Sequence, residues 1–191
     1  MLTDRERVEI ARLWARKLQQ DQRKLPKAER HRNLEPASAE FISALAAGIG
    51  AKRLLEVGGS SGISTIALAA AARQTGGRLT SIEMEPERQA ESRETIRRLE
   101  LANHVEFILA DAAQVLPGLV EPLDFVLIDC EKDDYIRFFE MIPTGPGTVV
   151  VADNILSHGI TDYVAHVRSR GGVESVTLAI GKGLEVTVYA G

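Results

Sequence analysis

Leu54-Leu55-Glu56-Val57-Gly58-Gly59-Ser60-Ser61-Gly62-Ile63-Ser64-Thr65 is an apolar run that breaks into glycine and serine and then resumes as a helix. Leu54 to Val57 reads as a buried strand, Gly58 to Gly62 as a tight turn where backbone approaches a ligand, and Ser64 to Ala72 as a good helix former. The amides that open such a helix have no partner within it and sit at the positive end of its dipole. An anionic group such as a carboxylate is therefore expected there. The glycines at 58, 59 and 62 match neither the G-x-G-x-x-G spacing of a dinucleotide fingerprint nor a phosphate loop ending in Gly-Lys-Ser/Thr. About twenty residues on, Leu79-Thr80-Ser81-Ile82-Glu83 reads as a second strand that delivers an acid at its end, placed to accept hydrogen bonds from both hydroxyls of a ribose.

Outward from that unit, helical and strand patterns alternate. Helices are expected at 3–24, 37–48, 62–73, 86–101, near 112, at 133–141 and at 160–170; strands at 53–57, 78–83, 104–109, 123–129, 147–152, 173–179 and 184–189. Such alternation predicts a parallel sheet with helices on both faces. Only Ile180-Gly181-Lys182-Gly183 separates the last two strands, too short for a crossover, so they form an antiparallel hairpin. With no repeat, linker or low-complexity stretch, residues 1–191 are expected to make one domain. Ligands in such sheets bind beyond the carboxyl ends of the strands, and Glu56 to Ser64, Glu83, Asp111, Asp129 and Asp153 all fall near those ends.

A chain of 191 residues with 45% apolar content can bury a sizeable core. Its net charge of −4 argues against general nucleic-acid binding. Residues 1–32 carry ten Lys/Arg against five Asp/Glu, a net of +5, which leaves −9 for the rest. Docking to an acidic partner is one reading of that segment. The solvated face of an N-terminal helix is the simpler one, because Ile10, Trp14 and Leu18 form an apolar stripe at helical spacing. A single cysteine excludes an internal disulfide, and no apolar run reaches the roughly 18 residues a bilayer span needs. The start lacks a charged-then-apolar leader, so a cytoplasmic location is expected.

Five segments taken in order resemble the class I S-adenosylmethionine-dependent methyltransferases, and within them the small catechol and caffeoyl-CoA type O-methyltransferases. Leu54 to Thr65 looks like the family's first motif, and Ser81-Ile82-Glu83-Met84-Glu85-Pro86-Glu87-Arg88 its ribose-acid motif. Ala110-Asp111-Ala112-Ala113-Gln114-Val115-Leu116-Pro117 resembles the adenine-side segment. Phe125 to Tyr135, with Asp129, Lys132 and Tyr135 at matching spacing, is similar to the fourth-strand motif, and Val149 to Leu156 to the fifth-strand Asp-Asn. The resemblance implies a Rossmann-like α/β fold, a doubly wound seven-stranded sheet that is mostly parallel with one antiparallel strand in a C-terminal hairpin. It also implies that the N-terminal helices of residues 1–48 cover the cofactor and substrate side.

For the chemistry, the resemblance implies S-adenosylmethionine bound by Glu56, Gly58, Gly59, Ser60, Gly62, Ser64, Glu83, Met84, Asp111, Ala112 and Asp129. It gives Asp129, Asp153 and Asn154 the role of holding a divalent metal, and Asp129 and Lys132 catalytic roles, Lys132 as general base. In-line methyl transfer from a sulfonium needs the nucleophile held in line and deprotonated. Phenols ionise near pH 10, so a cation that lowers the pKa of a coordinated hydroxyl helps, and hard oxygen donors suit magnesium, manganese or calcium. Taken alone, Asp153-Asn154 also reads as a strand-ending turn that caps the next segment. A lysine at its ordinary pKa of about 10.4 is a poor base at pH 7, so the role of Lys132 requires burial or a nearby metal. The expected acceptor is a small molecule, a catechol or other polyphenol, with neither nucleic acid nor membrane as partner; small relatives are often homodimers.

Other residues take plainer readings. Cys130 has no evident partner base and reads as packing, His104 as surface, and His158 as either exposed or facing the substrate. His31 and Arg32 are candidates for a flap over the cofactor. Ser60 stands where relatives often carry a bulkier residue or threonine, and the turn should tolerate the change. Only Ile155 to Gly159 separates Asn154 from the next helix, where relatives usually carry a longer insertion; a short Pro143-to-Gly147 turn likewise precedes the fifth strand. These departures point to a more open site and away from a caffeoyl-CoA type of acceptor. Three alternatives stay open: a metal-independent methyltransferase, an NAD-dependent oxidoreductase, and a non-catalytic cofactor-binding module.

Overall fold

In the computed structural model, described for residues 1–26 and 29–190 with the side chain of His158 excepted, eight helices and seven strands alternate. The helices are α1 (Asp4–Gln22), α2 (Pro36–Gly48), α3 (Ile63–Thr75), α4 (Pro86–Arg98), α5 (Ala112–Val115), α6 (Tyr135–Met141), α7 (Ile155–His158) and α8 (Thr161–Ser169). The strands are β1 (Arg53–Val57), β2 (Arg78–Glu83), β3 (Val105–Leu109), β4 (Phe125–Ile128), β5 (Val149–Ala152), β6 (Val173–Leu178) and β7 (Leu184–Tyr189). They form one sheet in the order β3-β2-β1-β4-β5-β7-β6, in which only β7 runs antiparallel to its neighbours β5 and β6. The expected doubly wound sheet with its terminal hairpin is what forms.

The central strands are apolar on both faces because both faces are covered. Along β4, Phe125 and Leu127 join the core shared with α1 to α4, whereas Val126 and Ile128 join the core shared with α5 to α8. Val149 and Val151 against Val150 and Ala152 repeat that division along β5. The two-residue period of a strand thus feeds two cores from one segment.

The N-terminal helix differs from its expected stripe. Ile10 and Leu13 are buried and Trp14 is half-buried on the core, but Leu18 is 42% exposed. Two acids share the buried face. Glu6 pairs with Arg73 of α3, and Glu9 pairs with Arg98 of α4 at 2.7 Å and with Arg12 at 2.7 Å. Burial alone pushes the Glu6 carboxyl up, but the Arg73 guanidinium and the Thr3 cap outweigh it and hold the carboxyl below its usual range. The positive charge of this segment is spent inside the chain: Arg5 faces Glu100, Arg7 faces Glu40 and Arg16 faces Glu91. That supports the solvated-helix reading. Among the described residues, no helix is long and apolar enough to cross a membrane.

Candidate functional site

Register sets the site. Val57 pairs with Ile82 and with Ile128, and Ile128 pairs with Ala152, so the next residue of each strand falls on one row: Gly58, Glu83, Asp129 and Asp153. Backbone bonds hold the row together, from Gly58 N to Ile82 O (2.9 Å), Asp129 N to Val57 O (3.0 Å) and Asp153 N to Ile128 O (3.1 Å). The row lies at the carboxyl ends of the parallel strands, where β1 and β4 flank the reversal of strand order. Above it opens a cleft of about 660 Å³.

One end of the cleft is formed by Gly58, Ser60, Glu83, Met84, Asp111 and Ala112. Glu83 is held rigidly: Oε2 accepts from Ser60 N at 2.7 Å, and Oε1 from Met84 N at 2.9 Å and Glu85 N at 3.0 Å. Its oxygens keep lone pairs for further donors. Ser60 adopts φ 46°, the left-handed region, and its Oγ accepts from Arg32 N at 3.2 Å. Asp111 caps α5 through Ala113 N at 2.9 Å, and Met84 is 62% exposed.

Four residues expected to touch a ligand are buried and do not line the cleft. Gly59, Gly62 and Ser64 are absent from its lining, as is Glu56. Glu56 is fully buried beneath the turn, and its Oε2 accepts from Thr65 Oγ1 at 2.7 Å and Ser81 Oγ at 2.6 Å. Burial raises its carboxyl above the usual range despite the hydroxyls of Ser64, Ser81 and Thr65.

The other end is lined by Asp129, Cys130, Glu131, Lys132, Asn154 and Lys182. Asn154 adopts φ 65° and its Nδ2 donates to Asp129 Oδ1 at 2.8 Å. Asp153, expected as a metal ligand, is 3% exposed and does not itself line the cleft; its Oδ1 is buried with no hydrogen-bond partner among the described residues. Tyr135 OH donates to the Asp153 carbonyl at 3.2 Å. Burial first, and then the Asp153 charge, pushes Asp129 well above the carboxylate range; burial raises Asp153 to about 6, although the Asn154 backbone and Lys182 pull it down.

Among the described residues, no three His, Cys, Asp or Glu side chains gather into a metal cage. Two carboxylates close enough for the charge of Asp153 to act on Asp129, with the Asn154 amide on Asp129 and one Asp153 oxygen buried and unpartnered, still fit a hard cation. Magnesium commonly takes one or two carboxylates and completes its shell with water and substrate oxygens. The orphaned Oδ1 is the atom that such an ion would satisfy.

The segment from Arg30 to Asn33 forms a strap along the cleft, and Lys17 and Asp21 of α1 line the cleft with it. Asn33 Nδ2 donates to Ser61 Oγ at 2.8 Å, and Arg32 pairs with Glu131, so the strap spans both ends of the site. His31 Nδ1 lies 2.5 Å from Arg16 Nη2; burial and that guanidinium hold the imidazole below its ordinary value. Helix α2 lines no part of the cleft. His104 sits half-buried in a short 3-10 turn, and the side chain of His158 lies outside the described residues. Lys182, which the sequence shows only as part of a hairpin turn, also lines the cleft, as do Lys17, Asp21, Arg30 and Phe138, none of which carries a local signal.

Cys130 is half-buried, and burial together with Asp129 and Asp134 pushes its thiol far up. Iodoacetamide at about pH 8 should alkylate it at least about tenfold more slowly than a free thiol, measured by mass spectrometry on the native chain. Alkylation at the free-thiol rate would contradict that environment.

The sequence model for the O-methyltransferase family matches residues 8–182. Catechol O-methyltransferase of Niastella koreensis is 35% identical over 133 residues, covering 66% of this chain and 60% of that protein. The Mycobacterium tuberculosis protein of the same name is 33% identical over 123 residues, covering 63% of this chain and 56% of the relative. The match thus spans less than two thirds of the length of either relative. An O-methyltransferase from Bacillus cereus, solved in complex with SAH, superposes with a TM-score of 0.81 over 99% of this chain and 92% of that one; at 24% identity the likeness speaks to the fold. With the family model covering nearly the whole sheet and every strand end that builds the cleft, the chain belongs to the O-methyltransferase family.

Proposed function

We propose that the protein is an S-adenosylmethionine-dependent O-methyltransferase that holds a divalent cation and methylates one hydroxyl of a small vicinal diol such as catechol. The observation that carries the metal-dependent reading is buried Asp153, one carboxylate oxygen unpartnered, next to the half-buried Asp129 and Asn154 at the strand ends that also carry Glu83. The relatives named catechol O-methyltransferase support the acceptor class.

When bound, S-adenosylmethionine supplies an electrophilic methyl group, and a divalent cation lowers the pKa of a neighbouring hydroxyl. Asp129, Asp153 and Asn154 are the residues that would hold the cation. Glu83 accepts from the ribose hydroxyls, its orientation already set by three backbone amides. Gly58 and Ser60 bound the methionine side, while Met84, Asp111 and Ala112 bound the adenine side. Lys132, at the start of a 3-10 turn lining the cleft, takes the hydroxyl proton onto Nζ. The strap from Arg30 to Asn33 screens the reacting groups from water.

The test is transfer of a tritium-labelled methyl group from S-adenosylmethionine to catechol. Product should form with magnesium, fall at least about 100-fold on chelation with EDTA, and return with added magnesium or manganese. Transfer that EDTA leaves undiminished would replace this proposal with the metal-independent one.

A further inference from the structure

Lys182 sits at the tip of the hairpin between β6 and β7 and faces the cleft beside Asp129 and Asn154. The tip is wedged in place. Lys182 O accepts from Leu156 N at 3.0 Å and Ser157 N at 3.2 Å, and Gly183 O accepts from Ile155 N at 3.0 Å, so the hairpin caps the start of α7. A Cβ on Gly181 would lie 2.6 Å from Ser38 Oγ, and one on Gly183 would lie 2.5 Å from Leu156 Cγ. The backbone that carries Lys182 is thus pinned to the residues that directly follow Asp153 and Asn154.

Its charge is placed unlike those of the other cleft cations. Lys17 and Arg30 face Asp21, and Arg32 faces Glu131. Arg88 and Lys132 also have partners. The Lys182 ammonium makes no hydrogen bond or close ion pair among the described residues, yet its charge is felt at both Asp129 and Asp153. Glu35, whose charge also reaches Asp153, does not line the cleft. Once a divalent cation takes up the charge of the two carboxylates, the half-buried ammonium is left without a hydrogen-bonded counter-charge, with Asp133 and Asp134 the remaining acids that line the cleft near Lys132. A partly desolvated charge is stabilised by a counter-charge, and the acceptor is the component free to bring one.

We propose that Lys182 selects the acceptor, favouring a vicinal diol whose ring carries an anionic group such as a carboxylate. This rests on the diol-acceptor reading above and deepens it. An acceptor whose hydroxyls lie near Asp129 and Asn154 has its ring within reach of Lys182, because the three residues line one end of the same cleft.

The test compares calorimetric dissociation constants for 3,4-dihydroxybenzoate and catechol, on protein saturated with S-adenosylhomocysteine and magnesium. The parent chain should bind the carboxylate-bearing diol about tenfold more tightly than catechol. In Lys182→Gln the ratio should fall to about one, and in Lys182→Arg it should recover, which separates lost charge from lost fold. A parent ratio near one, a ratio that survives Lys182→Gln, or binding of neither compound overturns the proposal. Because the readout is binding, a protein that shows the charge-dependent preference but methylates neither compound would remove only the assigned activity. Methylation of both without preference would remove only the role of Lys182.

Discussion

Asp153→Ala is expected to abolish stoichiometric manganese binding and to lower kcat/KM for catechol by at least about 1,000-fold. The reason lies in the metal-free balance of charge. Asp129 is half-buried and Asp153 buried, both are raised above the carboxylate range, and the one cation whose charge acts on both is Lys182. A carboxyl whose folded-state pKa lies above its unfolded value holds more protons when folded, so stability falls as pH rises from the ordinary 3.8 through about 6 for Asp153. Above that window Asp153 is charged next to Asp129 in the metal-free chain, and a divalent cation offsets the penalty. Magnesium should therefore raise the melting temperature more near pH 7.5 than near pH 5, and Asp153→Asn should abolish that difference. Removing the Asp153 charge should also leave metal-free Asp153→Asn at least as stable as the parent near pH 7.5. Manganese titration by electron paramagnetic resonance and thermal melts read these outcomes. Undiminished manganese binding by Asp153→Ala would move the metal elsewhere or remove it.

The legible parts of this chain are those in which a local pattern carries the structural cause. Doubly buried strands announce themselves as short apolar runs, and the four-residue hairpin turn leaves no room for a crossover, so strand type and the reversed strand follow from the sequence. The placement of Glu83, Asp129 and Asp153 on one rim is legible because each ends or directly follows a strand, and parallel strands bring those ends together. Lys182 escapes such reasoning. It reaches the rim only because β7 pairs antiparallel with β5, Ala152 opposite Glu185, which carries the hairpin tip up beside Asn154. The stripe on α1 fails for a related reason. Glu6 and Glu9 take buried positions on the strength of Arg73 and Arg98, which come from helices far along the chain. Helix α7 is a single turn held by carbonyls of the hairpin, a support invisible in its own four residues.

Gly58→Ala is expected to cost roughly 3–5 kcal/mol of folding stability and to remove cofactor and metal binding together. Gly58 has φ +96°, and an added Cβ would lie 2.2 Å from the Asp129 carbonyl oxygen and 2.8 Å from its carbon. Both are backbone atoms, so no side-chain rotation relieves the clash. Against a typical folding stability of about 5–15 kcal/mol, that loss is a large fraction. Gly48→Ala is the matched control: its Cβ meets nothing within 4 Å, so its unfolding free energy from urea titration should stay within about 1 kcal/mol of the parent. If Gly58→Ala also stays within that margin, the close approach is wrong. The glycines of this turn read, from sequence, as room for a ligand. At Gly58 the group that comes close is the protein's own Asp129 backbone, at Gly59 it is the Ser81 hydroxyl and the Glu56 carboxylate, and at Gly62 it is Ser92. What the glycines permit is the seating of β4 and α4 against β1. That seating brings the acid that would hold the metal onto the same row as the acid that would hold the ribose, so one methyl group at Gly58 should disable both ends of the cleft.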